Sequence, residues 1–566
     1  MDQTTPPISP SHDALSDEGP PSSPASRRNL TVSSNLLAWG TASAVVGLFI
    51  LRFGYHVGWS DQDEFLPLIQ HWIDPNLFTH DWFVMMQTST FGIRTAFATA
   101  LWGLSNLASL ELAVLIVQLG SAFAICLAIF RISERLSPVP WMPVVSTIVA
   151  VLITARMNPG GNDVLHAFLV PSSVGWAAAL WALYHVLAGR AILAGLFIAG
   201  ALWMHPLVGL QTGSVLCLVA LMASGWKLKQ VWPTLLLFAS SAIPLILLLA
   251  NLGAPSAPST SLVTEALPML SMDPAWILTE VRSPHHYLPT TFPLQDWLWF
   301  FAIVLTAGGF LIASSRMGSK LAANDNGSMQ LLFVVLLCVL GGAFLVTGWP
   351  WQIPFLVRLQ PFHLSPLLRI VSVLLITAGV SRLLARFAFV ASLSRLLPLV
   401  MPIAGGLLLV IGLWKIQPNG YLDRSADAQL HRWVASSTSE DAVFAIPPSM
   451  SGFQYGTGRA QFISFKSFPF TPDGSKEWIH RLHELAPVSS WLPGGTPLLD
   501  RLDESWSNRS ISDMAKVLLS QDIDYLVRPV PDPANWDKVL EPQWCSETWC
   551  VYWAGRILMR PSEPTS

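Results

Sequence analysis

The chain has 566 residues, of which 52% are hydrophobic and only 12% charged, with 25 Trp and a mean hydropathy of +0.49. That balance excludes an ordinary soluble protein and identifies a polytopic membrane protein. With 32 Lys+Arg against 35 Asp+Glu, no overall field attracts nucleic acid or an anionic surface, so partners other than the lipid bilayer itself are argued from local sites.

Residues 1–30 are rich in Pro, Ser and Asp and nearly devoid of large apolar side chains. They read as a disordered cytoplasmic tail. The order basic, apolar, small-residue cleavage site of a signal peptide is missing, so the first apolar run stays in the membrane. A spanning helix needs roughly 20 mostly apolar residues, and about eleven stretches qualify: 35–55, 109–131, 141–156, 172–188, 191–206, 207–225, 231–251, 296–314, 329–347, 366–382 and 397–415. The run 92–107 carries Arg94 and regularly spaced polar residues, and reads as a helix lying at the interface. With the N-terminus inside, the cytoplasmic flanks hold Arg27/Arg28, Arg131/Arg135, Arg190, Lys227/Lys229, Arg316/Lys320 and Arg382/Arg386/Arg395, as the positive-inside bias requires. Counting 92–107 as a span would break that alternation. The expected domains are therefore a tail (1–30), a transmembrane domain (31–416) and an extracytoplasmic domain (417–566).

The first outer loop brings Asp61, Asp63 and Glu64 directly after a span, with Trp59 and Trp82 as interfacial anchors. A solvated loop explains them; so does a general base or a metal-binding acid pair. In an extended loop Asp61 and Asp63 point one way and Glu64 the other, which makes Asp61 the first candidate for catalysis and Asp63 the second. The loop 157–171 contains Asn158, Asn162, Asp163 and His166, for which turn chemistry suffices. His205, before Pro206, reads as a hairpin turn.

The loop 272–297 contains Glu280, Arg282, His285, His286 and Tyr287. Arginine and histidine donors at a membrane surface suit a phosphate, because a guanidinium offers paired bonds and an imidazole carries charge or moves a proton. Arg358 and His363 in the next outer loop, and Arg52 and Arg369 near span ends, add positive charge to the same surface or snorkel individually.

Beyond 417 the charge density rises: 31 of the 67 charged residues lie in 417–566. Short β-rich runs ("AVFAIPP", "AQFISFK", "DYLVRPV", "CVYWAG") alternate with helical stretches, which fits a small α/β domain. Cys126, Cys217 and Cys338 fall inside spans, whereas Cys545 and Cys550 flank a short turn and are candidates for a disulfide in an oxidising compartment. No P-loop, HExxH or GxSxG motif occurs.

With the acidic "DQDE" after an N-in span, surface helices ending near "TFGIRTAFATALWGLSNL", a span closing on "FRISERL", and "RSPHHYLP" and "DRSADAQLHRWVASSTSEDAVFAIPP" later, the chain resembles GT-C superfamily glycosyltransferases, including bacterial members of unassigned function. The resemblance covers most of 35–560. It implies a multi-pass protein of the bacterial inner membrane that transfers a sugar from a polyprenyl-phosphate donor to a glycan or lipid acceptor. Asp61 or Asp63 matches the place of the acid that deprotonates the acceptor or holds a divalent metal. Glu64, Arg282, His285, His286 and Arg358 fall where substrate and donor phosphate are met. "DQDE" is not itself a family signature. The alternatives are a transporter or flippase, which needs ionisable groups at mid-membrane or paired broken helices, and a non-catalytic protein of the same fold in cell-envelope glycan assembly.

Overall fold

The computed structural model describes residues 24–251, 272–316, 325–348, 354–385, 387, 389–416 and 427–558. Among them, eight helices are long and apolar enough to cross a membrane: Ser34–Phe53, Leu110–Leu136, Pro206–Ala223, Leu228–Leu249, Leu294–Ala313, Asp325–Thr347, Leu356–Leu384 and Leu396–Trp414. The other three expected stretches are helical but shorter, Met142–Ile153, Pro171–Leu187 and Ala191–Met204. Two of them have a visible cause. Residues 149–153 widen into a π-turn, and His205, extended at φ −149° ahead of Pro206, separates Ala191–Met204 from the next helix. The first helix runs back to Pro24, into the segment expected to be unstructured; proline at the first position has its φ preset for helix. The rest of that tail lies outside the described residues. The run 92–107 folds as Thr95–Ser105, eleven residues that bury Phe97, Ala98 and Leu101 on one face.

The helix bundle closes around Val45, Ile125, Trp176, Leu180, Leu368 and Leu374, all buried. Its tightest crossing joins the first helix to Phe389–Trp414. A Cβ at Gly40 would stand 2.5 Å from the Pro402 nitrogen, one at Gly47 2.5 Å from the Leu408 carbonyl carbon, and one at Gly405 would overlap the Gly40 carbonyl. These three glycines let two backbones touch, the packing that replaces hydrophobic drive between helices in lipid. The far side of that helix is bare: Ile403 is 76% and Trp414 84% exposed, a surface that only hydrocarbon or a partner leaves unpenalised.

The last 132 described residues, 427–558, form a five-stranded sheet of order β2-β1-β3-β5-β4, with β1 Val443–Ala445, β2 Ala460–Gln461, β3 Tyr525–Pro529, β4 Trp544–Cys545 and β5 Trp549–Trp553. β1 pairs in parallel with β2 and β3, while β5 is antiparallel to β3 and β4. Helices Pro472–Leu485, Thr496–Ser507 and Ile511–Gln521 bury Trp478, Leu482, Leu502, Trp506 and Met514. Cys545 and Cys550 face each other across β4 and β5 and are joined as a disulfide. This core is completed from the membrane domain, because Ile277 and Val281 are buried within it and Trp82 and Trp276 pack on it. The Gly495 amide donates to the Val281 carbonyl at 2.8 Å. The sheet domain is thus clamped on the loops that carry the candidate residues.

Candidate functional site

The loop after the first span is wound, not extended. Gly58 and Ser60 have φ of +67° and +59°, and the turn they make leads into a 3-10 helix, Ser60–Glu64. Gln62 holds it from inside: its Oε1 accepts from the Gly58 amide at 2.6 Å and its Nε2 donates to the Leu169 carbonyl at 3.2 Å. With three residues per turn, positions i and i+3 eclipse. Asp61 therefore shares a face with Glu64, and Asp63 turns elsewhere, which corrects the expected pairing of Asp61 with Asp63.

On the shared face three cations meet two carboxylates. Lys466 Nζ donates to Asp61 at 2.6 Å. Arg94, at the start of its short helix, donates from Nε and Nη2 to Glu64 Oε2 at 2.9 and 2.7 Å. Arg282, the last residue of a π-turn Ile277–Arg282, reaches Glu64 Oε1 only at 3.8 Å. Its guanidinium lies over Phe465, 4.8 Å from the ring centre. Arg282 is 6% exposed, and its Nε has no hydrogen-bond partner among the described residues. A buried guanidinium left this short of acceptors is costly.

Asp61 and Lys466 are partly open, with 38% and 30% of their side chains exposed, so the pair stands at an opening to solvent. Burial pushes the Asp61 carboxyl up, but Lys466 and then Arg94 outweigh it and hold the group well below the usual carboxylate range. Asp63 behaves oppositely. It accepts from Ser451 Oγ at 2.5 Å and from the Gly452 amide at 2.9 Å, but burial dominates and lifts it from the ordinary 3.8 to about 7. It fastens the first loop to the sheet domain, helped by the Ser60 amide donating to Ser451 Oγ at 2.7 Å.

His285 and His286 adjoin, ring centres 4.1 Å apart. Burial, then each other's charge and that of Arg282, push His285 down to about 3; burial also lowers His286. Burial thus disfavours the charged form of both imidazoles, which favours proton transfer over fixed positive charge among the two roles expected of them. His286 Nδ1 lies 2.7 Å from the Gly160 carbonyl, so the proton sits on Nδ1 and Nε2 is left as an acceptor.

Other candidates stand apart. Arg358 is half exposed and pairs loosely with Asp273 at 3.8 Å, with no bond to Asp61 or Glu64 among the described residues. Arg369 is wholly buried against Asp163 at 2.5 Å and also donates to the Thr154 carbonyl. That pair anchors the 157–163 turn to the helix Ser365–Leu384, consistent with turn chemistry there. Arg52 donates to the Leu152 carbonyl at 2.5 Å. His363 stacks on His205, ring centres 5.2 Å apart. Lys466, Arg94, Ser451 and Gly452 were not singled out in the sequence as site residues. The available signal was a lone cation inside an aromatic run, "FISFKSFPF".

Beside the Arg94–Glu64 pair lies a narrow apolar slot of about 40 Å³, lined by Leu68, Met86, Ile93, Phe468 and Phe470 among others. Among the described residues no group of three or more His, Cys, Asp or Glu side chains converges as a metal site; Asp61, Asp63 and Glu64 are each engaged by other partners instead. Of the three cations, Lys466 and Arg94 are bonded to Asp61 and Glu64, and Arg282 is the one held at the longest distance.

Residues 426–485, which include Ser451, Gly452 and Lys466, match a family described as "Domain of unknown function (DUF6798)". No curated protein matches the chain. Among solved structures it is similar to the crystal structure of ArnT from Cupriavidus metallidurans bound to undecaprenyl phosphate, at 12% identity and a TM-score of 0.41, over 95% of this chain and 100% of that one.

Proposed function

We propose that this multi-pass membrane protein is a glycosyltransferase of GT-C type, working at the extracytoplasmic face of a bacterial inner membrane with its N-terminus inside. Its donor is a sugar carried on a polyprenyl phosphate, and its acceptor a glycan or lipid hydroxyl. The observation that carries this reading is Arg282: a buried guanidinium with an unused Nε and a long ion pair, beside Lys466 and Arg94. The ligand that completes such a set is an anion.

The chemistry follows from exchanging partners. The donor's phosphate takes Lys466 and Arg282 through charge-assisted bonds. Lys466 thereby leaves Asp61, whose carboxylate loses the charge that kept its proton affinity low. The acceptor oxygen attacks the anomeric carbon, the bond from that carbon to the phosphate oxygen breaks, polyprenyl phosphate departs with the electron pair, and the hydroxyl proton passes to Asp61. His286 Nε2 is available to orient a sugar hydroxyl. Glu64 keeps Arg94 and Arg282 in place, and Asp63 serves the interdomain fastening.

The test is twofold. Undecaprenyl phosphate is titrated into the full chain in nanodiscs and the unfolding temperature followed; it rises for the wild type and is unmoved for Arg282→Ala and Lys466→Ala. In parallel, lipid-linked and surface glycans of a deletion strain are profiled by mass spectrometry, with wild type and Asp61→Asn restored at matched membrane levels. Loss of one glycan species in the deletion and in Asp61→Asn supports the transferase. Unchanged glycans in the deletion remove it in favour of transport or scaffolding.

A further inference from the structure

A second cavity, of about 440 Å³, opens at the start of β1 and β3, in the size range of small-ligand sites. Its walls carry four aromatic side chains, Trp82, Phe462, Tyr525 and Trp553, and three carboxylates, Asp441, Asp522 and Asp524. Tyr525 and Trp553 are directly opposed across β3 and β5, which places their rings side by side on one face, and Trp553 is 39% exposed. The cationic wall residue Arg481 is already engaged. It stacks over Trp82 and Phe462, 4.9 Å from each ring centre, and pairs with Glu477 at 2.7 Å. The cavity therefore presents flat apolar faces for C–H groups and carboxylate oxygens for hydroxyls or an amine, Asp441 and Asp524 each already accepting one bond, from Ser439 and from the Val443 amide, with its one guanidinium spent.

That combination recognises a polyhydroxylated ring: aromatic faces for its apolar side, acceptor oxygens for its O–H or N–H donors. A negatively charged ring would meet three carboxylates. Phe462 lines this cavity and Lys466 holds Asp61. They stand four positions apart, at most about 14 Å along the chain, so the cavity wall and the lysine that holds Asp61 come from one short stretch. We infer that this cleft binds a neutral or amino-bearing saccharide, the acceptor side of the reaction proposed above, on which this assignment rests.

The experiment uses the full chain in fluorescently labelled nanodiscs on a glycan array carrying neutral, amino-bearing and uronic oligosaccharides. Binding to neutral or amino-bearing glycans is expected. Trp553→Ala weakens it about tenfold, the loss of one aromatic contact. Asp522→Asn weakens the amino-bearing glycans most. Asp522 has φ +50°, a conformation asparagine adopts readily, so this variant changes charge without disturbing the turn and stands in should Trp553→Ala fail to fold. Absence of signal, preference for uronic glycans, or full binding by both variants overturns the assignment. Asp61→Asn keeps the array signal; array binding by the wild type together with unchanged glycans in the deletion strain counts against the transferase reading alone.

Discussion

Lys466 and Asp61 come from opposite ends of the chain, 405 positions apart, and meet at 2.6 Å. Removing the lysine should cost on the order of 100-fold in transfer, as for other single donors aimed at developing charge. Lys466→Arg should recover part of it, measured as product formed from a polyprenyl-phosphate sugar. Asp63 carries a pH dependence of its own. Its carboxyl is raised in the folded protein to about 7 from 3.8, so between about pH 4 and pH 7 the folded state binds more protons than the unfolded one. Its contribution is complete below the unfolded value and is lost as pH rises through 7. Asp63→Asn keeps an acceptor for Gly452 and cannot ionise. It should flatten the fall in unfolding temperature between pH 5 and pH 8, and a variant as pH-sensitive as wild type would count against the assignment. Asp61 works the other way: its stabilising pair with Lys466 is present above the ordinary carboxylate range and lost only as acid protonates it.

At the scale of elements, the 3-10 turn Ser60–Glu64 decides which carboxylate faces the cleft. An extended strand and a 3-10 turn need the same residue types here. The choice is made by Gln62 bonding back to Gly58 and across to Leu169, a contact with a residue 107 positions on. Gln62→Leu should release the turn and depress transfer while leaving the helix bundle folded, read as activity against unchanged unfolding temperature. The crossing of the first helix with Phe389–Trp414 is fixed by glycine. Gly405→Ala should destabilise the membrane domain by about 1–3 kcal/mol, the usual cost of overpacking, because the new methyl meets backbone that cannot rotate away. Denaturant titration in detergent measures it.

For the whole molecule, the sheet domain closes the site by pressing on the loops of the bundle. Ile277 and Val281 sit in its core, Asp63 is fastened to Ser451 and Gly452, and Lys466 enters the cleft from it. The two parts therefore unfold as one unit, and separate expression of 427–558 should leave Ile277 and Val281 unreplaced and yield an unstable product. The orientation proposed for the domain is tested by its cysteines. In intact cells Cys545 and Cys550 should resist a membrane-impermeant maleimide until reduction and accept it afterwards; no labelling either before or after reduction, in cells whose lysate does label, would place the domain inside.

Much of this architecture was legible in the chain. Runs of about twenty apolar residues form helices in any tertiary context, since lipid offers their amides no other partner. The eleven stretches are all helical in the structure, as is the interfacial run around Thr95–Ser105, and the charge-rich C-terminal region forms the expected sheet and helices. Which of those helices reach spanning length depended on local breaks at 149–153 and His205. The site was half legible. Acidic and basic residues concentrated in loops that come together in the structure, and Asp61, Glu64 and Arg282 do assemble. Their partners did not show, because an ion pair between residues 61 and 466 leaves no periodicity or spacing to read. The charge state of His285 and His286 was hidden for a related reason: composition supplies the imidazoles, but only burial among neighbouring charges decides whether they carry a proton.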